Sequence, residues 1–211
     1  LDFEAAMKRN PAPTMVTWML SRTRYIDEAL LEAVAGGARQ VVILGAGFDS
    51  RAYRFKERLE GVRLFEVDYG PTQEYKKRRL QEIFGSLPKH VKYVPMDFNR
   101  DDLPTELRNN GYLTNERTLF IWEGVTMYLP ATSIRSTLRT IRDNAAPGST
   151  VVFDYVLSTH PGVNNPKARA SGWGEPWIFG FEGNGATDFV RAEGLEVVED
   201  FLTSDARALR Y

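Results

Sequence analysis

Residues Gln40 to Phe55 read Q-V-V-I-L-G-A-G-F-D-S-R-A-Y-R-F. The apolar, β-branched run at the start of this stretch is typical of a buried strand. Gly45 and Gly47 let the backbone turn from that strand into a helix and let a ligand come close to it. In an open α/β sheet such a turn lies at the carboxyl end of the first strand, where nucleotide-like ligands bind. The stretch therefore predicts an α/β domain with a ligand-binding loop.

A second predicted strand, from Arg63 to Asp68, follows about twenty residues later and ends on an acid. Asp68 can accept hydrogen bonds from both hydroxyls of a ribose at that position. Glu66 points to the same face of the strand, because strand side chains alternate with a period of two. Glu66 could share or replace this role, and the structural alternative for Asp68 is a helix cap before Thr72.

The dinucleotide fingerprint G-x-G-x-x-G fits this loop except at its third glycine, where the chain has Ser50. A larger residue there moves the following helix away from the strand, and a cofactor without a pyrophosphate does not need that close packing. S-adenosylmethionine is such a cofactor, and its methionine portion would lie on Gly45, Ala46 and Gly47. An NAD(P)-dependent oxidoreductase on the same fold is the alternative, and Ser50 argues against it.

Four motifs resemble the leucine carboxyl methyltransferase family: G-A-G-F-D-S-R-A-Y-R, F-E-V-D, M-D-F and W-E-G-V-T-M-Y-L. The nearer likeness is the bacterial branch of polyketide and small-molecule O-methyltransferases, and it runs in order from about Ser21 to about Phe201. This resemblance implies a Rossmann-like class I methyltransferase fold, a mostly parallel sheet with helices on both faces. It also implies S-adenosylmethionine as cofactor and methyl transfer to a carboxylate or hydroxyl of a small molecule, such as a carboxylic acid or a polyketide or phenol-like compound.

The resemblance assigns further contacts to residues that follow predicted strands. Asp97 and Phe98 would frame the adenine, and their structural alternative is a turn acid followed by a core phenylalanine. Glu123 directly follows the apolar run Thr118 to Trp122, where an acid is costly unless it is paired or solvated. It would bind the amino group of the methionine portion or fix the neighbouring loop.

Three arginines are candidates for the cofactor carboxylate, because a guanidinium binds carboxylates through two parallel hydrogen bonds. Arg22 and Arg24 lie in a predicted helix that could cover the site, and they project in different directions. Arg51 belongs to the more specific motif, but it could equally pair with Asp49 or Glu66. The sequence leaves this choice open, and Asp49 is kept as a site residue of the same loop.

No convincing general base is found in the sequence. His160 follows the fifth predicted strand and is a weak candidate, as is Tyr128, whereas His90 lies at the opposite rim and is expected to be structural. Asp154, Tyr155 and Trp177 are expected to pack or to line the pocket. A carboxylate is ionised at neutral pH and needs no base, so this pattern mildly favours a carboxylate or an acidic phenol as acceptor.

The order of predicted elements alternates strands and helices, which indicates a mostly parallel sheet covered on both faces. Helices are predicted over 14–35, from the polar start at 49–51 to about 59, and over 72–84, 130–145 and 186–193. Strands are predicted over 41–44, 63–68, 91–96, 118–122 and 149–156, with an extended segment over 195–201. The family usually ends on an antiparallel strand; we expect it to be short here or to lie outside the sequence.

The 211 residues are expected to form a single methyltransferase domain. Residues 1–35 would supply an N-terminal arm and a covering helix. Residues 157–185 form an irregular insertion with two tryptophans, which we predict to be a substrate lid. The first residue is Leu1 and the chain is short for the family it resembles, so we expect the natural N-terminus to lie upstream.

The composition narrows the class of protein. Twenty-seven basic residues against 28 acidic ones give a net charge of -1, which predicts neither nucleic-acid nor membrane binding. There is no cysteine and there are only two histidines, so no metal site is expected. Without a membrane-length apolar run or a signal peptide, a cytoplasmic location is expected. A non-catalytic relative that kept the cofactor pocket stays an alternative, and the sequence does not decide the oligomeric state.

Overall fold

The computed structural model describes residues 13–98, 100–165, 176–183 and 185–202. The predicted N-terminal arm, apart from its covering helix, lies outside the described residues, as does Trp173 of the predicted lid.

The described residues form five strands and six α-helices. The strands are β1 (Gln40–Leu44), β2 (Arg63–Asp68), β3 (Val91–Pro95), β4 (Thr118–Trp122) and β5 (Thr150–Phe153). The helices are α1 (Pro13–Ala35), α2 (Arg51–Arg54), α3 (Gly70–Phe84), α4 (Leu103–Asn109), α5 (Ala131–Asn144) and α6 (Gly185–Ala192). Two 3₁₀ helices, Lys56–Leu59 and Thr126–Tyr128, complete the assignment.

The five strands form one sheet in the order β3-β2-β1-β4-β5, and every pairing in it is parallel. β1 and β4 are buried along their whole length, because helices cover both faces of the sheet. The chain fills one side of β1 with β2 and β3 before it crosses to β4. This reversal of strand order creates a crevice at the carboxyl ends of β1 and β4, the usual ligand position in such sheets. The predicted α/β fold with a parallel sheet is confirmed.

Alternating side chains of β1 enter two separate cores. Val41 and Ile43 pack against Ile26 and Leu30 of α1, on one face of the sheet. Val42 and Leu44 belong to the core on the other face, which α5 covers. The burial of Ile26 fixes α1 over the sheet, and the residues one turn before it lie over the carboxyl ends of β4 and β5.

The predictions differ from the structure in two of the helices. The helix predicted from the glycine loop to Leu59 is broken at Phe55 into α2 and a 3₁₀ helix. Helix α4 was not predicted. Its signal is local: Asp102 caps the helix by accepting the Thr105 N–H at 3.1 Å, and Pro104 lies in the first turn.

The C-terminal predictions need two corrections. β5 ends at Phe153 and not at 156, because the carbonyl of Asp154 accepts the Thr126 hydroxyl at 2.7 Å instead of continuing the sheet ladder. The described part of the segment predicted as extended, residues 195–201, contains no strand. A side-chain hydrogen bond anchors it instead, since Tyr155 donates to Asp200 at 2.8 Å. Val198 in the same segment is 88% exposed, so it does not pack into the core.

Candidate active site

The glycine loop at the carboxyl end of β1 has a backbone that only glycine adopts readily. Gly45 has φ +66° and Gly47 has φ +40°. The N–H groups of Gly45 and Ala46 both donate to the Val67 carbonyl, at 2.9 and 3.0 Å, so the loop is tied to β2. A Cβ atom on Gly45 would lie 2.6 Å from Val125 Cγ2. The loop that follows β4 therefore closes against the glycine loop, and no larger side chain fits between them.

Asp68 is held at the glycine loop by two backbone N–H groups. Its Oδ2 accepts from Gly47 and its Oδ1 from Tyr69, both at 2.7 Å. It does not cap α3, because Tyr69 holds the N-cap position and no side chain caps that helix. Each carboxylate oxygen has a second lone pair, so the partly exposed Asp68 can still accept two hydroxyl groups.

Arg22 of α1 connects the carboxyl ends of two neighbouring strands. Its Nε lies 2.7 Å from Oε1 of Glu123, directly after β4, and its Nη1 lies 2.7 Å from Oδ2 of Asp154, directly after β5. Asp154 also accepts the N–H of Gly124 at 2.6 Å. The Arg22 side chain is only 17% exposed, so these pairs are partly withdrawn from water. Arg22 thereby fixes α1 over the crevice.

Arg51 is buried and surrounded by carboxylates. Its Nη1 lies 2.6 Å from Asp49 and 2.5 Å from Glu123, and its Nε lies 2.7 Å from Asp27. Burial disfavours the charge of Arg51, but Asp49, Glu123 and Asp27 outweigh this effect and raise its pKa above the ordinary value. Arg51 is therefore a permanent cation fixed by three acids. Of the two partners that the sequence left open, Asp49 and Glu66, the structure pairs it with Asp49.

The cluster formed by these ion pairs carries a net negative charge. Its acids are Asp27, Asp49, Glu123 and Asp154, and its cations are Arg22, Arg51 and Arg54, of which Arg54 pairs with Asp27. Four carboxylates against three guanidinium groups leave one negative charge in excess. A ligand with a net positive charge is favoured at this end of the sheet.

Two of the sequence-predicted residues are not brought to this cluster. Arg24 is 61% exposed and pairs with Glu28 one turn later on the same helix, so it faces away from Glu123. Glu66 is 1% exposed, and its carboxylate lies 2.7 Å from the ammonium group of Lys76. Glu66 thus neither replaces Asp68 nor pairs with Arg51.

Asp97 and Phe98 follow β3 as predicted, and their contacts match the structural alternative. The backbone N–H of Asp97 donates to Asp101 at 2.7 Å, and the Asp97 carboxylate lies 3.7 Å from Arg100. Phe98 is partly buried against the core that α5 covers. A role at the adenine stays a prediction.

His160 accepts the N–H of Gly162 through Nδ1 at 3.0 Å. The neutral ring then carries its proton on Nε2, so this nitrogen is a donor and not a base. The His160 ring lies 4.9 Å from that of Trp177, and the next residue, Ile178, donates to the carbonyl of Met127 at 2.8 Å. The described part of the predicted lid is therefore attached to the loop after β4. Tyr128 ends the 3₁₀ helix of that same loop.

Sequence reasoning missed three members of the cluster, Asp27, Arg54 and Asp154. Asp154 was expected to pack or to line the pocket, although it follows an apolar strand just as Glu123 does, and this shared position was the available signal. Asp27 lies within α1, and no local pattern shows that its partner is Arg51. Among the described residues there is no group of acids or histidines that could hold a metal ion. No helix in the described ranges is long and apolar enough to cross a membrane.

A sequence profile of the leucine carboxyl methyltransferase family matches residues 2–142, and the chain belongs to this family. The Bacillus subtilis protein YktD is 31% identical over 216 residues, covering 99% of this chain and 69% of YktD. A protein from Mycolicibacterium gilvum is 35% identical over 162 residues, covering 75% of this chain and 51% of the relative. Both relatives are provisionally named S-adenosylmethionine-dependent methyltransferases.

Solved structures of methyltransferases share the fold. The mitomycin 7-O-methyltransferase MmcR aligns with a TM-score of 0.54 at 16% identity, over 87% of this chain and 56% of its own. Human N-acetylserotonin methyltransferase in complex with S-adenosylmethionine aligns with a TM-score of 0.53 at 14% identity, over 92% of this chain and 53% of its own. The chain thus spans about half the length of these proteins, and the likeness is one of fold.

Proposed function

We propose that this protein transfers the methyl group of S-adenosylmethionine to an oxygen atom of a small molecule. The observation that carries the proposal is the position of Asp68. Its carboxylate is held between the glycine loop and the start of α3 by the N–H groups of Gly47 and Tyr69. A ribose beside this loop would find a fixed acceptor for both hydroxyls. Family membership supports the same cofactor.

The charge of the cluster fits this cofactor. S-adenosylmethionine at neutral pH carries a sulfonium, an ammonium and a carboxylate, which gives a net charge of +1. When bound, it supplies the electrophilic methyl group. The excess negative charge of the cluster around Glu123 matches that charge. Two arginines contact Glu123. Arg22 is 17% exposed and accessible to a ligand, whereas Arg51 is 4% exposed and already paired with three acids. We assign the cofactor carboxylate to Arg22 and the ammonium group to Glu123.

The protein would contribute mainly positioning and exclusion of water. An in-line displacement at a sulfonium methyl needs the acceptor oxygen aligned with the methyl group and freed of water. The loop after β4 packs on the glycine loop, and the segment around Trp177 is attached to it through Met127. These contacts support our proposal that the segment covers the acceptor.

An acceptor that is already ionised suits the described part of this rim. His160 uses Nδ1 to accept from Gly162, so it does not offer a free base there. A carboxylate or an acidic phenol would reach the methyl group without loss of a proton in the reaction step. We therefore favour these two acceptor classes.

Transfer of labelled methyl groups tests the proposal. The protein is incubated with methyl-labelled cofactor and separate panels of carboxylic acids and phenols. Methyl esters of carboxylic acids are hydrolysed by mild base and aryl methyl ethers are not, so base treatment of the product distinguishes the two. Asp68→Ala is the control for cofactor-dependent transfer. Label recovered only on nitrogen or sulfur would contradict O-methylation, and binding of cofactor without any transfer would favour a non-catalytic relative.

A further inference from the structure

The buried Glu66 joins the two elements that hold the candidate cofactor site. Tyr53 of α2 donates its hydroxyl to Oε1 of Glu66 at 2.8 Å, and the ammonium group of Lys76 in α3 lies 2.7 Å from Oε2. Gln73 of α3 donates to the Glu66 carbonyl at 3.0 Å. One residue of β2 thus contacts the helix that follows the glycine loop and the helix that follows Asp68.

The placement of these residues in the chain links them to the site. Tyr53 lies two residues after Arg51, and Glu66 lies two residues before Asp68. Gly47 lies in the loop that leads into α2, and Asp68 ends β2. A shift of α2 relative to β2 would pull on this loop and change the distance between the Gly47 N–H and the Asp68 carboxylate. The bonds of Glu66 oppose such a shift.

Burying a charged pair such as Glu66 and Lys76 costs free energy, which a residue that only fills space would not need. Glu66 and Lys76 are 1% and 5% exposed in their side chains, so both charges are removed from water. Burial raises the pKa of Glu66, against the opposing effects of Lys76 and Tyr53, and the charge of Asp49 in the glycine loop also raises it. A buried pair of this kind contributes little net stability, and fixing one arrangement is its best-attested use.

We propose that Glu66 is a positioning residue that holds the glycine loop and Asp68 at the separation needed for the ribose of the cofactor. It acts through Tyr53 on the side of the loop and through Lys76 on the side of α3, and it does not touch the cofactor. This inference rests on the proposed function, since it assigns the ribose to Asp68.

Calorimetric affinity for S-adenosylhomocysteine, the demethylated product, tests the proposal. Tyr53→Phe removes the hydroxyl that donates to Glu66 and that also lies 3.1 Å from the Tyr93 hydroxyl, and Glu66→Gln removes the charge. Each is measured alone and combined with Asp68→Ala, and urea unfolding is measured for every variant. Glu82→Gln is the matched control. Glu82 lies in α3, the helix of Lys76, but it is 59% exposed and pairs with Arg79 at the surface.

We expect Tyr53→Phe to weaken binding about threefold to tenfold, the loss typical of one hydrogen bond, and Glu66→Gln to weaken it at least as much. In the Asp68→Ala background both effects should largely vanish, whereas their effects on unfolding should add. The proposal would be overturned if either variant weakened binding by the same factor with and without Asp68→Ala. Normal binding by both variants would also overturn it. If Glu66→Gln does not fold, Tyr53→Phe alone decides. A wild-type protein that binds no product would instead overturn the proposed function.

Discussion

At the scale of single residues, Asp68 gives the sharpest prediction. Asp68→Ala should weaken binding of S-adenosylhomocysteine by about 1–3 kcal/mol, because the ribose hydroxyls lose a charged acceptor. Folding should survive, since Asp68 ends β2 and is only partly buried. Isothermal calorimetry measures the affinity and circular dichroism the fold. An unchanged affinity in a folded variant would remove Asp68 from the site.

Arg22 and Arg24 form a matched pair for testing the candidate carboxylate ligand. Arg22→Ala should weaken cofactor binding by about 1–3 kcal/mol, because the ligand carboxylate loses its partner and Asp154 loses the cation that holds it in place. Arg24→Ala should change it by less than about 0.5 kcal/mol, since Arg24 makes only an exposed pair with Glu28. Equal effects in the two variants would contradict this assignment.

The sequence predicted which residues stand at the ends of strands, because apolar runs followed by an acid are a local pattern. Asp68 and Glu123 were found in this way. The partners of Arg22 could not be found, because they lie 101 and 132 residues away and meet it only after α1 packs on the sheet. For the same reason the sequence left open the choice between Arg22, Arg24 and Arg51.

At the scale of elements, Asp102 is expected to stabilise α4 in a pH-dependent way. Hydrogen bonds from the hydroxyl and the N–H of Thr105 lower the pKa of Asp102, so its contribution is present above the pKa of the unfolded chain and is lost as the pH falls through the lower folded value. Asp102→Ala should reduce the free energy of unfolding by about 0.5–2 kcal/mol at pH 7.

Asp102→Asn is the matched control for this cap. Asparagine keeps the acceptor, so it should retain most of the stability at pH 7. The advantage of wild type over Asp102→Asn should shrink as the pH falls below about 4, near the pKa of an unperturbed aspartate. Urea unfolding across this pH range measures the difference in stability between the two proteins. A wild-type advantage that grows in acid would contradict the predicted pH dependence.

The segment around Trp177 gives a second prediction at this scale. Trp177→Ala should reduce methyl transfer while the affinity for S-adenosylhomocysteine stays nearly unchanged, because the segment is expected to cover the acceptor and not the cofactor. Val198→Ala is a suitable control, since Val198 is 88% exposed. Normal turnover in Trp177→Ala would exclude a lid function for this part of the segment.

Helix and strand positions were predictable where a period was repeated over several residues. The bounds of β2 and β4 match the predicted ones, because β4 is an uninterrupted apolar run and β2 ends on the acid Asp68. α4 has only seven residues, too few for a helical period to show, so its signal is limited to the Asp102 cap and Pro104. The extended segment at 195–201 was predicted from its apolar residues, but its hold on the domain comes from side-chain bonds such as Tyr155 to Asp200.

At the scale of the whole molecule, the strand order explains why distant residues share one site. β1, β2, β4 and β5 are parallel, so their carboxyl ends meet at one edge of the sheet. The glycine loop follows β1, Asp68 ends β2, and Glu123 and Asp154 directly follow β4 and β5. α1 then covers that edge and adds Arg22. Sequence reasoning reached this architecture because alternating strands and helices allow few other arrangements.

Ligand-dependent thermal unfolding of the wild-type protein tests the central claim most directly. A ligand that binds only the folded state stabilises it by mass action, about 2.7 kcal/mol at a hundredfold excess over its dissociation constant. S-adenosylmethionine and S-adenosylhomocysteine should therefore raise the Tm in a concentration-dependent way, and NAD should leave it unchanged. A Tm raised by NAD and unaffected by both sulfur ligands would contradict the account.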